Sequence, residues 1–357
     1  MARVLVAMSG GVDSSVAAAL LKEDGHEVTG VTMKVWDGES LPQREAHGCY
    51  GPDEDDIEDA RSIARILDIP FYVFDLTAEY RAEVLDYVRH EYFSGRTPNP
   101  CVRCNRRVKL DMLVEKARDD GIEFEFVATG HYARVEQIQS SGRYVLKKAR
   151  DWEKDQSYFL YALSQEQLSR AFFPLGDFTK AEVVGMAFQR QLGVAQRAES
   201  QDFIAGGYSS IMGTSAQPGL IFDRQGTMLG RHRGIPYYTI GQRKGLGISA
   251  KEALYVTEID CAQNALIVGT KEEVYGNELI CSEMNWIVLP DLEHALSVKA
   301  KIRYSHSESE AIATPLEDGR VRVVFTEPQM AITPGQAVVF YDIDTVVGGG
   351  TIEASLR

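Results

Sequence analysis

Residues 3–21 read RVLVAMSGGVDSSVAAALL, an apolar run that passes through a turn of serine and glycine into a stretch of alanine and leucine. The pattern predicts a β-strand at 3–8 and a helix over 14–23, joined by a glycine-rich turn. Such a turn presents unpaired backbone N–H groups and the positive end of the helix dipole. The sequence therefore predicts an anion-binding loop at the start of an α/β fold.

The residues of this loop suit a nucleotide phosphate. Gly10 and Gly11 allow close backbone approach or a positive φ. Asp13 offers a carboxylate for the Mg²⁺ that accompanies ATP. The loop has neither the lysine of a Walker motif nor the GxGxxG spacing of a dinucleotide turn. Hydroxyls for phosphate oxygens would come from its serines, Ser9, Ser14 and Ser15.

The remainder of the first 200 residues alternates strand-like and helix-like stretches. We expect strands at 27–34, 70–74 and 124–129 and helices at 78–92 and 105–119. This alternation is typical of a parallel sheet covered by helices on both faces, which places the chain in the α/β class.

The later sequence changes character twice. A glycine-rich, turn-rich stretch predicts a small central domain, and short alternating strands after it predict an all-β sandwich or barrel. These strands are expected at 298–304, 311–314, 321–325 and 337–341. The predicted domains are 1–202, 203–270 and 271–357.

Composition narrows the function. The chain has 357 residues and a net charge of −14, which argues against a generic nucleic-acid binder. Contacts to a polynucleotide would need local basic patches, at 103–109 and 230–244, for which a solvated basic surface is the alternative. Apolar runs are shorter than the ~20 residues that span a bilayer, and no targeting segment precedes the first strand. We therefore expect a cytoplasmic protein with no membrane contact.

Two of the five cysteines form a CxxC pair, Cys101 and Cys104, behind Asn99 and Pro100. Asparagine is a good helix N-cap and proline suits the first helical position, so both thiols are expected near a helix N-terminus. The helix dipole and nearby arginines favour the thiolate forms. Such thiolates can carry a persulfide, form a disulfide, or ligate a metal or an iron–sulfur cluster.

The loop and the cysteine pair belong to a longer set of motifs that resembles the MnmA family of tRNA-specific 2-thiouridylases. The matching stretches follow in the family's order along nearly the whole chain: SGGVDSS (9–15), TPNPCVRCN (97–105), ATGHYAR (128–134), KDQSYFLYAL (154–163), FPLGDFTKAEV (173–183), ESQDF (199–203), YYTIGQRKGLGI (237–248) and ITPGQAVVFY (332–341). The resemblance implies a PP-loop (adenine nucleotide alpha hydrolase-like) domain, a small central domain and a C-terminal β-barrel. It also implies ATP-dependent adenylation of the C2 oxygen of a wobble uridine, in tRNAs for Lys, Glu and Gln, followed by sulfur transfer.

The same resemblance implies roles for individual residues. It places the family's catalytic cysteine at Cys104 and aligns Cys101 with residues that line the target-base pocket. From the chemistry of the residues themselves, we also expect Cys101 and Asp13 to be catalytic. The implied nucleotide contacts are Ala7, Met8, Ser9, Gly10, Gly11, Val12, Asp13, Ser14, Ser15, Met33 and Gly130. The implied contacts to the anticodon arm of tRNA are Asn99, Pro100, His131, Lys154, Asp155, Gln156, Arg303, Tyr304 and Gln336.

One departure from the family leaves the sulfur route open. Many members carry a second catalytic cysteine after a Ser-x-Asp segment, but here Ser200-Gln201-Asp202 is followed by Phe203-Ile204-Ala205. Cys101 can replace that cysteine in a persulfide–disulfide cycle. Alternatively, Cys49, Cys101 and Cys104 can ligate an iron–sulfur cluster. The sulfur donor is a desulfurase, a relay protein or sulfide.

Two rival functions stay open at this point. A PP-loop synthetase that adenylates a small molecule would explain the loop and the acidic charge, but neither the cysteine pair nor the basic segments. A tRNA-binding relative that has lost catalysis together with its second cysteine is the other alternative.

Overall fold

The computed structural model describes residues 1–36, 38, 48–51, 53–194, 202–204, 208–212 and 216–356. The helices are α1 (Val12–Glu23), α2 (Glu54–Ile66), α3 (Thr77–Tyr80), α4 (Asp86–Phe93), α5 (Pro100–Arg103), α6 (Leu113–Asp119), α7 (Ser157–Leu160), α8 (Gln165–Arg170), α9 (Lys180–Gln189) and α10 (Ser209–Met212). Two π-helical segments, Arg81–Leu85 and Cys104–Met112, and two 3₁₀ turns, Ile235–Tyr237 and Glu272–Val274, complete the helical elements of this part.

The strands, in chain order, are β1 (Arg3–Ala7), β2 (Glu27–Lys34), β3 (Gly48–Tyr50), β4 (Phe71–Asp75), β5 (Phe126–Thr129), β6 (Ala133–Gln137), β7 (Tyr144–Lys148), β8 (Ala171–Phe172), β9 (Asp202–Ile204), β10 (Gly219–Asp223), β11 (Met228–His232), β12 (Tyr255–Asp260), β13 (Ala265–Gly269), β14 (Tyr275–Trp286), β15 (Leu296–Lys301), β16 (Ser309–Pro315), β17 (Val321–Met330), β18 (Ala337–Asp342) and β19 (Thr345–Leu356).

The chain divides into two compact units, each made of separate stretches of sequence. The first unit contains Met1–Val84, Cys101–Gly207 and Asp344–Val346. The second unit contains Leu85–Pro100, Tyr208–Ile343 and Val347–Arg357. The predicted division into 1–202, 203–270 and 271–357 stays a prediction.

A parallel sheet forms the centre of the first unit. Within the described residues its strand order is β4-β2-β1-β5-β8, with every neighbouring pair parallel. The central strand β1 is apolar throughout its middle, and Leu5 and Val6 have no exposed surface. Helices α1 and α9 bury Val16, Leu21 and Val183 in the same core. The predicted α/β class is confirmed.

Most element boundaries agree with the sequence to within a few residues, but β17 continues five residues beyond its predicted end, to Met330, and one helix begins earlier than expected. Strand β2 has the predicted limits, and β5 begins at Phe126, two residues later than expected. The helix expected from 105 begins instead at Pro100, as α5, and continues through the π-helical segment Cys104–Met112 into α6. The ring of Pro100 tolerates the first helical position, where no N–H partner is needed. Periodicity alone misses this start because the apolar repeat begins later.

The second unit holds two β structures. One is a sheet of the order β11-β10-β13-β12, and the other is an antiparallel set of six strands, β14-β17-β16-β15-β18-β19, within the described part of the chain. Strand β14 also pairs with β19, for example Cys281 with Ile352, so the six strands close on themselves. Of the two expected forms, the barrel is correct. Its interior includes Val298, Phe325 and Phe340.

The lone cysteines of the second unit differ in their surroundings. Cys281 is fully buried in the barrel, where burial raises the pKa of its thiol to about 12. Its sulfur also donates to the carbonyl of Val321 at 3.4 Å. Cys261 is exposed beside the turn between β12 and β13, so it is not the small buried residue that a lone cysteine usually is. Among the described helices, none is long and apolar enough to cross a membrane.

His232, at the end of β11, is buried and both of its ring nitrogens are hydrogen-bonded. Its Nδ1 accepts from the backbone N–H of Gly234 at 3.0 Å, and its Nε2 donates to the carbonyl of Asn264 at 3.1 Å. A ring with one accepting and one donating nitrogen is neutral. Burial lowers the pKa of His232 below its ordinary value, and the bond to Asn264 offsets this only in part.

We therefore expect the free energy of unfolding to fall as the pH drops below about 6.5, the ordinary histidine pKa. In that range His232 binds a proton in the unfolded chain but stays neutral in the folded protein, so the stability present at higher pH is lost. His232→Gln should cost about 1–3 kcal/mol at pH 7.5 and flatten the decline. Urea unfolding midpoints at several pH values measure this, with the exposed His294→Gln as the control. Identical pH profiles in the wild type and His232→Gln would contradict the assignment.

Candidate active site

The turn between β1 and α1 has the shape that the sequence predicted. Gly10 adopts a φ of +73°, and a Cβ atom at this position would lie 2.4 Å from the carbonyl oxygen of Asp56. Gly11 is the N-cap residue of α1, with extended backbone. Glycine at position 10 is therefore required both by the backbone angle and by the close approach of α2.

The three serines of the turn differ in how open they are. Ser9 is exposed, and its N–H donates to Oγ of Ser14 at 3.1 Å. Ser14 and Ser15 are buried and their hydroxyls donate to the carbonyl of Gly11, at 3.3 and 2.8 Å. In this conformation only the hydroxyl of Ser9 faces solvent, while the other two fix the first turn of α1.

Asp13 is held by two side chains from distant parts of the sequence. Lys180 Nζ lies 2.8 and 2.9 Å from its two carboxylate oxygens. The hydroxyl of Tyr132 donates to Oδ1 at 2.9 Å. No local sequence pattern points to Tyr132 or Lys180, although Tyr132 lies in ATGHYAR and Lys180 in FPLGDFTKAEV. Their positions beside Asp13 depend on the fold of the sheet, which no local pattern reveals.

The carboxyl ends of three parallel strands meet at this loop. Ala7, the last residue of β1, pairs with Val31 on one side and with Thr129 on the other. Gly130 follows β5, and a Cβ atom there would come within 2.6 Å of the backbone nitrogen of Ser14. Met33, near the end of β2, is half-buried. This is the edge at which open α/β sheets bind ligands.

Met8 and Val12 flank the loop from within the core. Both side chains are buried, and the N–H of Met8 donates to the carbonyl of Val31 at 2.8 Å. Any contact of these two residues with a nucleotide would therefore use the backbone.

A path of hydrogen bonds leads from the loop to the helix that carries the cysteines. Beyond Asp13, Tyr132 exchanges two bonds with Gln156: its N–H donates to Oε1 at 2.9 Å, and its carbonyl accepts from the Gln156 N–H at 2.8 Å. Gln156 is the N-cap of α7. The carbonyl of Phe159 in α7 accepts from Nδ2 of Asn105 at 3.3 Å. Asn105 directly follows Cys104, so the path ends at the cysteine pair.

The stretch 154–156 is thus largely internal. Asp155 is only 7% exposed. Its carboxylate accepts from the backbone N–H of Ala149 at 3.0 Å and from the hydroxyl of Ser157 at 2.8 Å. Gln156 is bound to Tyr132 as described, whereas Lys154 is half-buried. Of the three residues, Lys154 is the one that reaches the surface with a charge.

His131 lies between the sheet edge and the cysteine helix. Its Nδ1 is 2.6 Å from the hydroxyl of Thr129, and its ring meets Phe173 edge-on at 6.1 Å. Burial holds the pKa of His131 well below its usual range, and the positive charge of Lys109 in the π-helical segment lowers it further. The imidazole is therefore neutral at pH 7.

The two cysteines sit at the start of a helix, as expected, but the arginines around them are partly neutralised. Cys104 is 6% exposed and Cys101 is half-buried. Arg103 donates to the carboxylate of Glu83 at 3.0 Å, and also to its backbone carbonyl at 2.7 Å. Arg107 lies 3.7 Å from Asp111. The basic patch at 103–109 is thus less positive than its composition indicates.

Two further stretches bear on sulfur chemistry, Cys49 and the Ser-x-Asp segment 200–202, and both are described only in part. The side chain of Cys49 falls outside the described residues, as do Ser200 and Gln201. The backbone of Cys49 belongs to β3, which pairs with β9 through Gly48–Asp202 and Tyr50–Ile204. This register sets Cys49 opposite Phe203, directly after the Ser-x-Asp segment. Among the described side chains, no three cysteine, histidine or acidic residues gather as a metal-binding group.

The second unit contains a cavity of about 270 Å³, lined by Thr97, Thr239, Arg303, Tyr304, Ser305 and Gln336. One guanidinium nitrogen of Arg303 donates to the hydroxyl of Thr333 at 2.6 Å and to two backbone carbonyls, so this side chain shapes the cavity wall. Tyr304 is 38% exposed. The cavity unites three of the residues that the resemblance assigns to tRNA.

Gln336 belongs to a turn that holds the backbone ahead of α5. Its Nε2 donates to the carbonyls of Thr97 and Pro98, at 2.9 and 3.0 Å. The N–H of Thr97 donates to the carbonyl of Pro334 at 2.8 Å. Gly335 has a φ of +90°, and a Cβ there would lie 2.9 Å from atoms of Thr97. Of the two residues that follow, Asn99 is half-buried and Pro100 is buried.

The basic segment 230–244 presents its charges to solvent. Its cationic side chains are all exposed, and the guanidinium of Arg233 lies 4.5 Å from the ring centre of Tyr237. The exposed cations are Arg231, Arg233, Arg243 and Lys244. The second unit therefore carries a locally positive surface on an acidic protein.

Comparison with known families accounts for nearly all of the chain. A family model described as a tRNA methyl transferase HUP domain matches residues 2–205. A tRNA methyl transferase PRC-barrel domain matches 211–270, and an aminomethyltransferase beta-barrel domain matches 276–352. These matches fit a parallel-sheet unit followed by β structures.

Individual relatives are similar over their whole length. The tRNA-specific 2-thiouridylase MnmA of Moorella thermoacetica is 48% identical over 357 residues, which cover 98% of this chain and 99% of that protein. The protein of the same name from Endomicrobium trichonymphae is 45% identical over 355 residues, covering 98% of each. A structure of NMN synthetase from Francisella tularensis aligns with 59% of this chain and 75% of its own at 15% identity and a TM-score of 0.35, too distant to add to this result. The chain belongs to the MnmA family of tRNA-specific 2-thiouridylases.

Proposed function

We propose that this protein replaces the C2 oxygen of the wobble uridine with sulfur, in tRNAs of the Lys, Glu and Gln type. In the reaction, the C2 oxygen attacks the α-phosphorus of ATP and pyrophosphate leaves. A sulfur nucleophile then attacks C2 and AMP departs with the original oxygen. Full-length identity of 45% and 48% to curated 2-thiouridylases supports both the reaction and the tRNA substrate.

The observation that carries the proposal is the hydrogen-bonded path from Asp13 through Tyr132 and Gln156 to Asn105. Adenylation and sulfur transfer act on the same uridine carbon, so the phosphate loop and the thiols need a fixed separation. The path provides that constraint within one compact unit. It also gives Gln156 and the buried Asp155 a positioning role in place of direct contact with tRNA.

For ATP, the residues present fit a triphosphate. The backbone N–H groups at the start of α1 and the hydroxyl of Ser9 would bind phosphate oxygens. The crowded Gly10 and Gly130 let main chain from α2 and β5 approach the loop closely. Asp13 would hold Mg²⁺, which when bound neutralises phosphate charge and improves pyrophosphate as a leaving group. Met33 and the ends of β1 and β5 would line the rest of the nucleotide site.

For sulfur, we favour a persulfide cycle within the CxxC pair. A desulfurase or relay protein would leave a persulfide on Cys101, in place of the missing second cysteine, and its terminal sulfur attacks the adenylated C2. Cys104 thiolate then attacks the Cys101 sulfur, which releases thiouridine and leaves a Cys101–Cys104 disulfide for an external dithiol to reduce. The cluster alternative needs a third ligand, and Cys49 beside β9 is the candidate for it.

For tRNA, the second unit offers the recognition surfaces. The exposed cations of 230–244 would contact phosphates of the anticodon arm, and Tyr304 at the cavity would stack on a base. Lys154 adds a charge from the first unit. The resemblance assigns Asn99, Pro100 and neutral His131 each to contacts with the tRNA substrate, and we propose these contacts for each residue separately. We propose these roles together with the domain limits 1–202, 203–270 and 271–357 and an action on tRNA in the cytoplasm.

The rival functions differ in what they leave unexplained. A synthetase for a small molecule has no use for paired thiols linked to the phosphate loop. The methyl transfer named in the family descriptions would give a methylated nucleoside, which mass spectrometry of digested tRNA distinguishes from thiouridine. A relative without catalysis would bind tRNA tightly and give no thiolated product under any sulfur supply, including anaerobic conditions.

Replacing Cys104 should separate the two chemical steps. We expect Cys104→Ser to lower thiolation at least about a hundredfold, as loss of a nucleophile does, while tRNA-dependent release of pyrophosphate from ATP continues. Labelled ATP with unmodified tRNA measures the first step, and thiouridine in digested tRNA measures the second. The exposed Cys261→Ser is the control, expected to match the wild type. Full thiolation by Cys104→Ser, or pyrophosphate release stimulated by ammonia rather than tRNA, would refute the proposal.

Replacing Gly10 should weaken ATP binding through sterics alone. Gly10→Ala adds a Cβ at 2.4 Å from the Asp56 carbonyl and carries the cost of a positive φ. Gly25→Ala is a matched control, because Gly25 has a φ of +81° but nothing within 4 Å of an added Cβ. Both should lose about 1–2 kcal/mol of stability to the backbone angle. Only Gly10→Ala should bind ATP at least about tenfold more weakly in calorimetry; equal ATP affinities would contradict the predicted role of this turn.

Iron content decides between the two sulfur routes. We expect anaerobically purified protein to be colourless, iron-free and active with a persulfide donor, and Cys49→Ser to keep most of this activity. Visible absorption, iron analysis and a thiolation assay on the same preparation measure this. A brown, iron-containing wild type that loses both iron and activity in Cys49→Ser would establish the cluster route instead.

A further inference from the structure

The phosphate loop lacks a basic residue of its own, yet the fold brings one to it. In the stretch 9–15 the only charged side chain is Asp13. Lys180, 167 positions later in the chain, reaches both oxygens of that carboxylate. We propose that Lys180 is the phosphate-binding cation of this site and that it exchanges Asp13 for the phosphates of ATP. The inference rests on the proposed use of ATP, and it adds a phosphate-binding role for a residue outside the glycine-rich loop.

The backbone around Lys180 is fixed independently of its side chain. Lys180 is the first residue of α9, whose N-cap Thr179 forms a capping box with Glu182. The N–H of Lys180 donates to the carboxylate of Asp151 at 2.8 Å. The helix N-terminus is thus anchored by groups other than Asp13, so the ammonium can change partner without moving the helix.

The electrostatics of the loop favour such an exchange. A carboxylate beside the N-terminus of α1 repels a triphosphate unless a cation compensates it. Lys180 compensates it in the free protein, and its side chain is 18% exposed, so the ammonium borders both the ion pair and the loop. With Asp13 holding Mg²⁺, the Lys180 ammonium would turn to phosphate oxygens, with which it would form charge-assisted hydrogen bonds. Asp13 also accepts a hydrogen bond from Tyr132, so Lys180 is not the only side chain that orients this carboxylate.

The rival explanation is that Lys180 only holds Asp13 in place. The two roles differ in what happens once Asp13 carries no charge. If Lys180 only orients Asp13, it should contribute nothing to ATP affinity in Asp13→Asn. If Lys180 binds phosphate, it should still contribute to ATP affinity in that variant. They also differ in ligand dependence, since a phosphate ligand affects ATP but not adenosine.

The experiment measures binding of ATP and of adenosine to the full chain by calorimetry, with Mg²⁺ and without tRNA. The variants are Lys180→Met, Lys180→Arg, Asp13→Asn, and the double variant Asp13→Asn with Lys180→Met. Lys116→Met is the matched control. Lys116 lies on helix α6 of the same unit and also pairs with a carboxylate, that of Glu79, at 3.5 Å. Circular dichroism melts confirm that each variant is folded.

We expect Lys180→Met to weaken ATP binding about tenfold to a hundredfold and to leave adenosine binding unchanged. Lys180→Arg should keep most of the affinity, and Lys116→Met all of it. The double variant should bind ATP at least about tenfold more weakly than Asp13→Asn alone. Neither variant in this last comparison leaves a charged Asp13 without Lys180. The comparison therefore remains valid if Lys180→Met alone fails to fold.

Equal ATP affinities of Asp13→Asn and the double variant would overturn the proposal and assign Lys180 to a structural role. An equal loss for ATP and adenosine would do the same. Because no tRNA is present, the result is independent of the acceptor. If the protein failed to thiolate tRNA while the ATP pattern held, the proposed function would fall and the role of Lys180 would stand.

Discussion

The geometry of the phosphate loop depends on the close approach of main chain to the first turn of α1. Gly10 lies against the carbonyl of Asp56, and Gly130 lies against the backbone of Asp13 and Ser14. Neither position has room for a Cβ, so α2 and the end of β5 press directly on the loop. Because β1, β2 and β5 are parallel, this contact gathers three strand ends at one edge. The anion site is therefore a property of backbone packing, and side chains only add to it.

From this edge, a series of hydrogen-bonded polar side chains leads to the helix that carries the thiols. Tyr132 and Gln156 are each bonded on both sides, and Asn105 joins the cysteine helix to α7. Hydrogen bonds in such buried series restrict one another's geometry. In the proposed sulfur transfer through Cys101 and Cys104, this restriction would help one helix to present both thiols to the same carbon.

Much of this arrangement could be predicted from the sequence, and the rest could not for identifiable reasons. Strand β2 and the glycine turn follow from local patterns, which is why their limits agree with the structure. The pairing of Lys180 with Asp13 joins residues 167 apart and has no local signal. Asp155 looks like a surface charge in a polar stretch, yet it is buried because Ala149 and Ser157 satisfy it. The neutralisation of Arg103 by Glu83 likewise appears only in three dimensions.

The turn 334–336 has a consequence for how this protein could change over evolution. The carbonyls of Thr97 and Pro98, just before the cysteine helix, are held by an amide from the barrel strand region, and Gly335 leaves space only for bare backbone. The stretch Leu85–Pro100 accordingly belongs to the second unit, while Cys101 opens the next segment of the first. An exchange of the first unit alone with a relative would therefore cut the stretch TPNPCVRCN between Pro100 and Cys101.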